Sequence, residues 1–342
     1  MNYRKALGSL LFLACLSASG QDIHFSQYFA SPLTLNPALV GGFNGKFRVA
    51  ANYRNQWFTV MGANSYVTYS GSFDMPILRR KLGYDQLGVG VMAFHDKAGD
   101  GALSTLNVMG GAAYHKNLDE QRRYVISLGV LAGFTQKRID FSRLTFAAQF
   151  DQNLGFDPLA FNGERIESNS TMYFDFTVGL LFRARFSKMV RGYVGGSMFH
   201  LHKPKEYFLV QNGQPNRLNP RFLVHGGVDI SVNKYFTLTP GIYYATQNTA
   251  SEITVGMAAG YMFNENNILY LGAWVRAFDQ DAVIPMIAYE VYGLRIGLSY
   301  DINLSDLKVA SNSHGAVEAS LIYIFGKEPE PEFSPSRYCP KF

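Results

Sequence analysis

His200 and His202, in the run FHLH, stand two residues apart, a spacing that puts both imidazoles on one side of a strand end, where they could hold a metal ion. No carboxylate or cysteine lies near them in sequence, and a histidine pair at a strand end is more often a polar rim than a zinc site. Ser104, Ser127 and Ser299 stand in no nucleophile motif, and no glycine-rich loop leads from a strand into a helix. The chain is therefore expected to be no enzyme and to need no metal or cofactor. What remains is a set of charges in alternating positions. Asp175, Asp229, Asp301 and Glu318 recur on the same parity as Arg48, Arg54, Arg183, Arg185 and Arg295, and ion pairs inside a closed structure account for them.

Such charges need elements that aim them at one another. The net charge of +5 does not gather with aromatic residues in one groove, so no nucleic acid partner is expected. The sequence is 47% hydrophobic, 15% aromatic and 17% charged, and after the first twenty residues no run reaches the ~20 apolar residues of a membrane helix. In MYFDFTVGLLFRARF, Met172, Phe174, Phe176, Val178, Leu180, Phe182, Ala184 and Phe186 fall on one face. Tyr173, Asp175, Thr177, Gly179, Arg183 and Arg185 fall on the other, with Leu181 the exception. LRIGLSYDIN, FLVHGGVDISVN and FRVAANYRNQWF repeat the period of two.

These segments are nearly twice the length of strands in soluble sandwiches, which run about 5–6 residues. Their polar face carries charges and glycines rather than a solvated coat. Strands of about 9–11 residues, lipid outside and polar groups inside, define a transmembrane antiparallel β-barrel. Fourteen strands are expected, near 46–58, 64–75, 86–95, 102–115, 124–139, 171–186, 191–201, 220–232, 235–246, 252–263, 268–277, 282–289, 293–303 and 315–325. Connections after even strands are mostly short, such as 187–190 and 233–234, whereas the two longest, 140–170 and 202–219, follow odd strands. By the usual asymmetry of outer-membrane barrels, short turns face the periplasm, which places the N- and C-termini there. The basic runs LRRK at 78–81 and Arg122-Arg123 then meet anionic lipid or a periplasmic partner.

Residues 1–20 read as a signal peptide, with a basic start, a short apolar run and small residues before Gln21. Cys15 would leave with it, so that Cys339 is the one thiol of the mature chain and no internal disulfide is expected. Residues 21–45 are neither helix nor strand by pattern. Pro32 and Pro37 remove backbone donors and push the preceding residues toward extended geometry, and Phe25, Tyr28 and Phe29 supply aromatic anchors. This ribbon, with its rigid Asn36-Pro37-Ala38 turn, is either a plug in the lumen of the 46–325 barrel or a periplasmic flap across its mouth.

The stretch QDIHFSQYFASPLTLNPALVGG, then YRNQW at 53–57, GLSYDINLSDLKVASNSHGAVEASLIYIF and a last CPKF, resembles the PorP/SprF family of Bacteroidetes outer-membrane proteins. The resemblance implies a component of, or accessory to, the type IX secretion system. Its implied partners are secretion components and secreted proteins with a C-terminal secretion signal, such as gliding adhesins. The chain is also similar to fatty-acid-transporter barrels, in which an Asn-Pro-Ala turn closes the lumen, and Asn36, Pro37 and Ala38 match that turn.

Two further segments are candidate contacts. The outer loop carries Phe141, Phe146, Phe150, Phe156 and Phe161, more apolar than a loop in water requires, and suits a secreted partner. Residues 326–342 form a proline-rich tail that presents Arg337, Tyr338, Cys339, Pro340 and Phe342 to periplasmic machinery. The competing function is a channel for a small solute.

Overall fold

The computed structural model describes residues 22–78, 82, 85–121, 123–151, 155–157, 160, 168–211, 214–264, 266–278, 282–305 and 311–326. Residues 1–20, read from the sequence as a signal peptide, Phe161 and the tail residues Arg337, Tyr338, Cys339, Pro340 and Phe342 lie outside the described residues.

Fourteen strands form one closed antiparallel barrel. They are β1 (Phe47–Gln56), β2 (Tyr66–Ile77), β3 (Gln86–Ala98), β4 (Leu103–Asn117), β5 (Tyr124–Arg138), β6 (Ser170–Arg185) and β7 (Val190–Phe199). Then follow β8 (Arg221–Ser231), β9 (Phe236–Gln247), β10 (Ala250–Asn264), β11 (Asn267–Phe278), β12 (Ala282–Val291), β13 (Leu294–Asn303) and β14 (His314–Phe325). Neighbours in sequence are neighbours in the barrel, and β1 closes on β14 from Phe47 opposite Phe325 to Gln56 opposite Ala316. Closure leaves no unpaired sheet edge in hydrocarbon. No helix among the described residues is long and apolar enough to cross a membrane; this chain crosses with strands.

The period of two sets which side chains meet lipid. In β6, Met172, Phe174, Phe176, Leu180 and Phe182 are exposed on the outside, while Thr171, Tyr173, Asp175, Thr177 and Arg183 are buried inside. Leu181, which breaks the alternation in sequence, is not an outward residue at all. It points inward and is fully buried in the core that fills the barrel.

Strand ends move by a residue or two from the sequence reading where a left-handed backbone stops the ladder. β1 ends at Gln56 because Trp57 takes a φ of 58°, and a single helical turn over Phe58–Met61 follows. β7 ends at Phe199 because His200 has a φ of 55°. The two long connections carry small hairpins, Phe150–Asp151 with Gly155–Phe156 and Lys205–Gln211 with Gln214–Arg217.

Inside lies the N-terminal ribbon. It is not wholly irregular: three single turns, Tyr28–Ala30, Pro32–Leu35 and Pro37–Leu39, are joined by extended residues. Each proline opens a turn, where its missing N–H costs nothing. The ribbon starts beside Gln247, His200 and Arg221, at the end of the barrel that carries the long loops. It leaves beside Asp74, Gln86 and Arg183, at the short-turn end, and enters β1 there. The sequence reading puts both chain ends on one side. The described residues differ, with Asp22 at the long-loop end and Gly326 at the short-turn end, because the ribbon traverses the lumen once and does not double back.

Val130 is 50% exposed on the outer face midway along β5, and Leu103 is exposed at the start of β4 by the loop rim. Val130→Arg should cost about 2–4 kcal/mol and Leu103→Arg about 0–1 kcal/mol. Urea titration of refolding into vesicles checks the difference; equal costs would contradict a lipid-facing Val130.

Candidate functional site

From Phe25 to Phe43 every residue except Thr34 is buried, so the ribbon and the wall around it form one packed unit. Its aromatic end is built on strand residues far away in sequence. The Tyr28 ring stacks on Tyr243 at 5.1 Å and meets the edge of Trp274 at 5.6 Å, and Phe29 lies 5.7 Å from Trp274. Leu181 joins the same cluster. Phe25 is buried as well, 7% exposed.

The middle of the ribbon is fixed by Asn36. Its Oδ1 accepts from the Ala38 N–H at 2.8 Å, closing the turn, and its Nδ2 donates to the Leu180 and Gly196 carbonyls at 3.0 and 3.2 Å. The wall makes room with glycine. A Cβ on Gly179 would lie 2.0 Å from Asn36 Oδ1, one on Gly129 2.3 Å from the Pro37 carbonyl carbon, and one on Gly88 2.1 Å from the Val40 oxygen. Side chains at these points and a ribbon in this position exclude each other.

Polar ends complete the seat. At the long-loop end, Glu318 accepts from the Ser26 and Gln27 N–H groups, both at 2.8 Å. Arg54 bridges Asp301 at 2.9 Å and Glu318 at 3.2 Å, and Arg276 adds a second contact to Asp301. At the short-turn end Arg48 grips Asp74 through Nε at 2.9 Å and Nη2 at 2.7 Å, while Asp74 accepts from the Gly41 N–H at 2.6 Å. Arg48 also donates to the Leu39 carbonyl, and Arg183 donates to that of Gly42. Register produces these pairs: Arg48 stands opposite Asp74, Arg54 opposite Glu318 and Arg295 opposite Glu290.

The residues singled out in the sequence divide accordingly. Phe25, Tyr28, Phe29, Asn36, Pro37 and Ala38 come together in the lumen. Asp229 accepts from Thr239 at 2.9 Å. Ser127 lies 2.7 Å from His115 Nδ1, but the other nitrogen of that ring meets the Val40 carbonyl at 2.9 Å, so the pair braces the ribbon. Ser299 accepts from the Gln27 amide. His200 and His202 do not share a face. His200 turns inward, Nε2 at 2.6 Å from Asp22 and Nδ1 at 2.8 Å from Asp175, while His202 sits edge-on to Phe176. No group of three or more His, Cys, Asp or Glu among the described residues could hold a metal ion. Phe150 and Phe156 pair in the small hairpin and are 62% and 47% exposed; Phe141 and Phe146 lie earlier in the same loop. Asp74, Arg276, Arg221 and Asp22 escape the sequence reading, although inward parity in strands such as YSGSFDM marks Asp74.

Burial works on the titratable groups of the ribbon and the rim. It pushes His24 down to about 3, so the neutral ring accepts from Arg276 at 3.1 Å. Burial would also lower His200, but the carboxylates of Asp22 and Asp175 outweigh it and raise the imidazole to about 10. Asp22 is held well below the usual carboxylate range, since His200 overcomes the effect of its burial.

An antiparallel barrel with a lipid-facing apolar belt and a polar interior is an outer-membrane β-barrel. Over residues 17–323 the sequence matches the family described as type IX secretion system membrane protein PorP/SprF, and the chain belongs to that family. Curated protein sequences give no match. Among solved structures the fold is similar to the CymD monoaromatic hydrocarbon channel, with a TM-score of 0.51 and 11% identity over 86% of this chain and 91% of that one. It is likewise similar to the Ralstonia pickettii toluene transporter TbuX, with a TM-score of 0.51 and 11% identity over 87% of this chain and 94% of that one.

Gly179→Leu should displace the Asn36 turn while the barrel still inserts, because the strand ladder does not use that side chain. Heat-modifiable mobility on gels and accessibility of the ribbon to added protease test this. A protected ribbon in the variant would contradict the seat.

The His200 contacts predict a pH effect. A group raised from 6.5 to about 10 stabilises fully below about pH 6.5 and loses that contribution as pH rises through about 10. Thermal stability should therefore fall between these limits more steeply in the native chain than in His200→Gln, and parallel curves would contradict the bridge.

Proposed function

We propose that this barrel is a closed anchor of the type IX secretion system, docking a secreted or surface-displayed protein outside and periplasmic machinery inside. The single observation that carries this reading is the ribbon 25–43, buried across the lumen against the inner wall. In this reading the ribbon is a plug. The barrel performs no enzymatic chemistry, sits in outer-membrane lipid and has its short turns in the periplasm. The tail after Gly326 then enters the periplasm, where Arg337, Tyr338, Cys339, Pro340 and Phe342 meet secretion components. Asp22 marks the outer mouth, close to the long loops. Phe150 and Phe156, exposed on the outer hairpin, present the apolar surface that a secreted partner with a C-terminal signal would cover.

A second reading has a specific support. The similar folds include a monoaromatic hydrocarbon channel and a toluene transporter, so a ribbon that moves aside would make this chain a channel for a small solute.

Planar-bilayer recording and co-purification from native membrane separate the two. The docking reading expects a non-conducting native barrel, ion conductance after deletion of 24–42, and a co-purifying secreted protein. It also expects less captured cargo in Phe150→Ser/Phe156→Ser and less secretion after truncation at Lys327, at equal barrel abundance. A native barrel that conducts with a size cutoff and captures no secreted protein overturns it in favour of transport.

A further inference from the structure

The outer surface of the barrel carries two cations in one row. In β3, Lys97 shares the outward parity of the exposed Val91; in β5, Arg138 shares that of Val130 and Phe134; and in β4, Ser104 shares that of Val108. Register lines the three up at the long-loop end, Lys97 opposite Ser104 and Ser104 opposite Arg138. On both flanks the row is uncharged, with Val67, Asn55 and Val317 beyond Lys97 and Ser170 beyond Arg138.

Among the described residues neither Lys97 nor Arg138 has a hydrogen bond or an ion pair. The carboxylates of the same strands and the adjoining turns are engaged by other donors. Asp96 points inward and accepts from Thr68 at 2.6 Å, Asp100 accepts from Asn64 at 2.6 Å, and Asp140 accepts from the Ser142 N–H at 3.1 Å and its hydroxyl at 2.6 Å. Lys137, next to Arg138, turns inward to Glu206. Neighbouring strands are about 4.8 Å apart, so Lys97 and Arg138 stand about 10 Å apart with Ser104 midway, a span their long side chains close from both sides. The guanidinium offers a fork of donors, the ammonium a point charge and the hydroxyl a further donor. That set matches the three terminal oxygens of a phosphate monoester.

Toward the short-turn end the outer face of β2 to β5 is apolar and low. Gly71 stands opposite Ala93, and Gly110 opposite Ala132, with the exposed rings of Phe73 and Phe134 on either side. A Cβ on Gly71 would meet nothing within 4 Å, so the surface there is open. Cations at the rim and a shallow apolar furrow beneath them match a lipid with an anionic headgroup and acyl chains. We propose that Lys97, Ser104 and Arg138 bind the phosphate of an acylated sugar, the chemistry of an outer-leaflet glycolipid, whose chains lie along the furrow. The proposal rests on the outward placement of the long loops in the docking reading, and requires neither a secretion partner nor a closed lumen.

The test is native mass spectrometry of the full-length protein in detergent, titrated with monophosphoryl lipid A. The expected result is saturable binding, weakened about 10-fold in Lys97→Gln and in Arg138→Gln, the lower end of what a hydrogen bond to a charged group contributes. Dephosphorylated lipid A should bind more weakly than the phosphorylated form, and Lys234→Gln, in a turn at the short-turn end, should bind as the native chain does. Heat-modifiable mobility confirms that each variant is folded. No saturable binding, unchanged affinity in both cation variants, an equal loss in Lys234→Gln, or equal binding of the dephosphorylated lipid overturns the proposal. Phosphatidylglycerol or inorganic phosphate that binds as tightly overturns the glycolipid assignment. Whole-cell labelling of an epitope inserted in the 202–219 connection reads the orientation separately, and an unlabelled epitope overturns the outward placement, a failure distinct from any loss of binding in detergent.

Discussion

Non-regular backbone at membrane depth survives only if protein supplies the hydrogen bonds that water would have made. The ribbon obeys this constraint at nearly every step, and the inner wall is arranged around it. Arg221 meets the Ile23 carbonyl, Glu318 the Ser26 and Gln27 amides, Ser197 the Leu35 carbonyl, and His115 the carbonyl of Val40. Each of these wall residues lies at an inward position of a different part of the barrel. The ladder could close without them, but the ribbon could not stay.

The same constraint explains why charged groups are so deeply placed. Arg48, Asp74 and Glu318 have no exposed surface. A buried pair earns little over an apolar pair of the same size, whereas removing one partner costs about 3–5 kcal/mol because the other charge is stranded. Such pairs therefore act as keys for position. Asp74 receives Arg48 in a fork and the Gly41 amide together, so the ribbon is tied to β1 and β2 at the point where it leaves the lumen. Arg54, Arg276, Asp301 and Glu318 do the same at the opposite end, around Ser26.

Between the two ends, shape replaces charge. Gly129 and Gly179 bring strand backbone into contact with the Asn36-Pro37 turn, and Tyr28, Phe29, Tyr243 and Trp274 pack as a ring cluster on the other side. Aromatic packing of this kind contributes about 0.5–1.5 kcal/mol per pair beyond the area it buries. The ribbon is thus held by contacts that differ in kind along its length, polar, steric, aromatic and polar again.

The sequence by itself determined the class of fold. A period of two sustained over ten or more residues has one meaning in a chain with lipid outside and polar groups inside, so the strands, their order and the asymmetry of their connections follow from residue types alone. The aromatic and proline pattern of the ribbon and its Asn36-Pro37-Ala38 turn were legible for the same local reason. Tertiary structure decided what those residues touch. Leu181 reads as an error in the alternation until the lumen core receives it, and His200 reads as a rim residue until Asp22 and Asp175, each more than twenty residues away, close on it. Neither the glycine seats nor the direction in which the ribbon threads the barrel is written in any local pattern. Both depend on register and on which residues face each other across the lumen, and those distances are set only when the fourteenth strand meets the first.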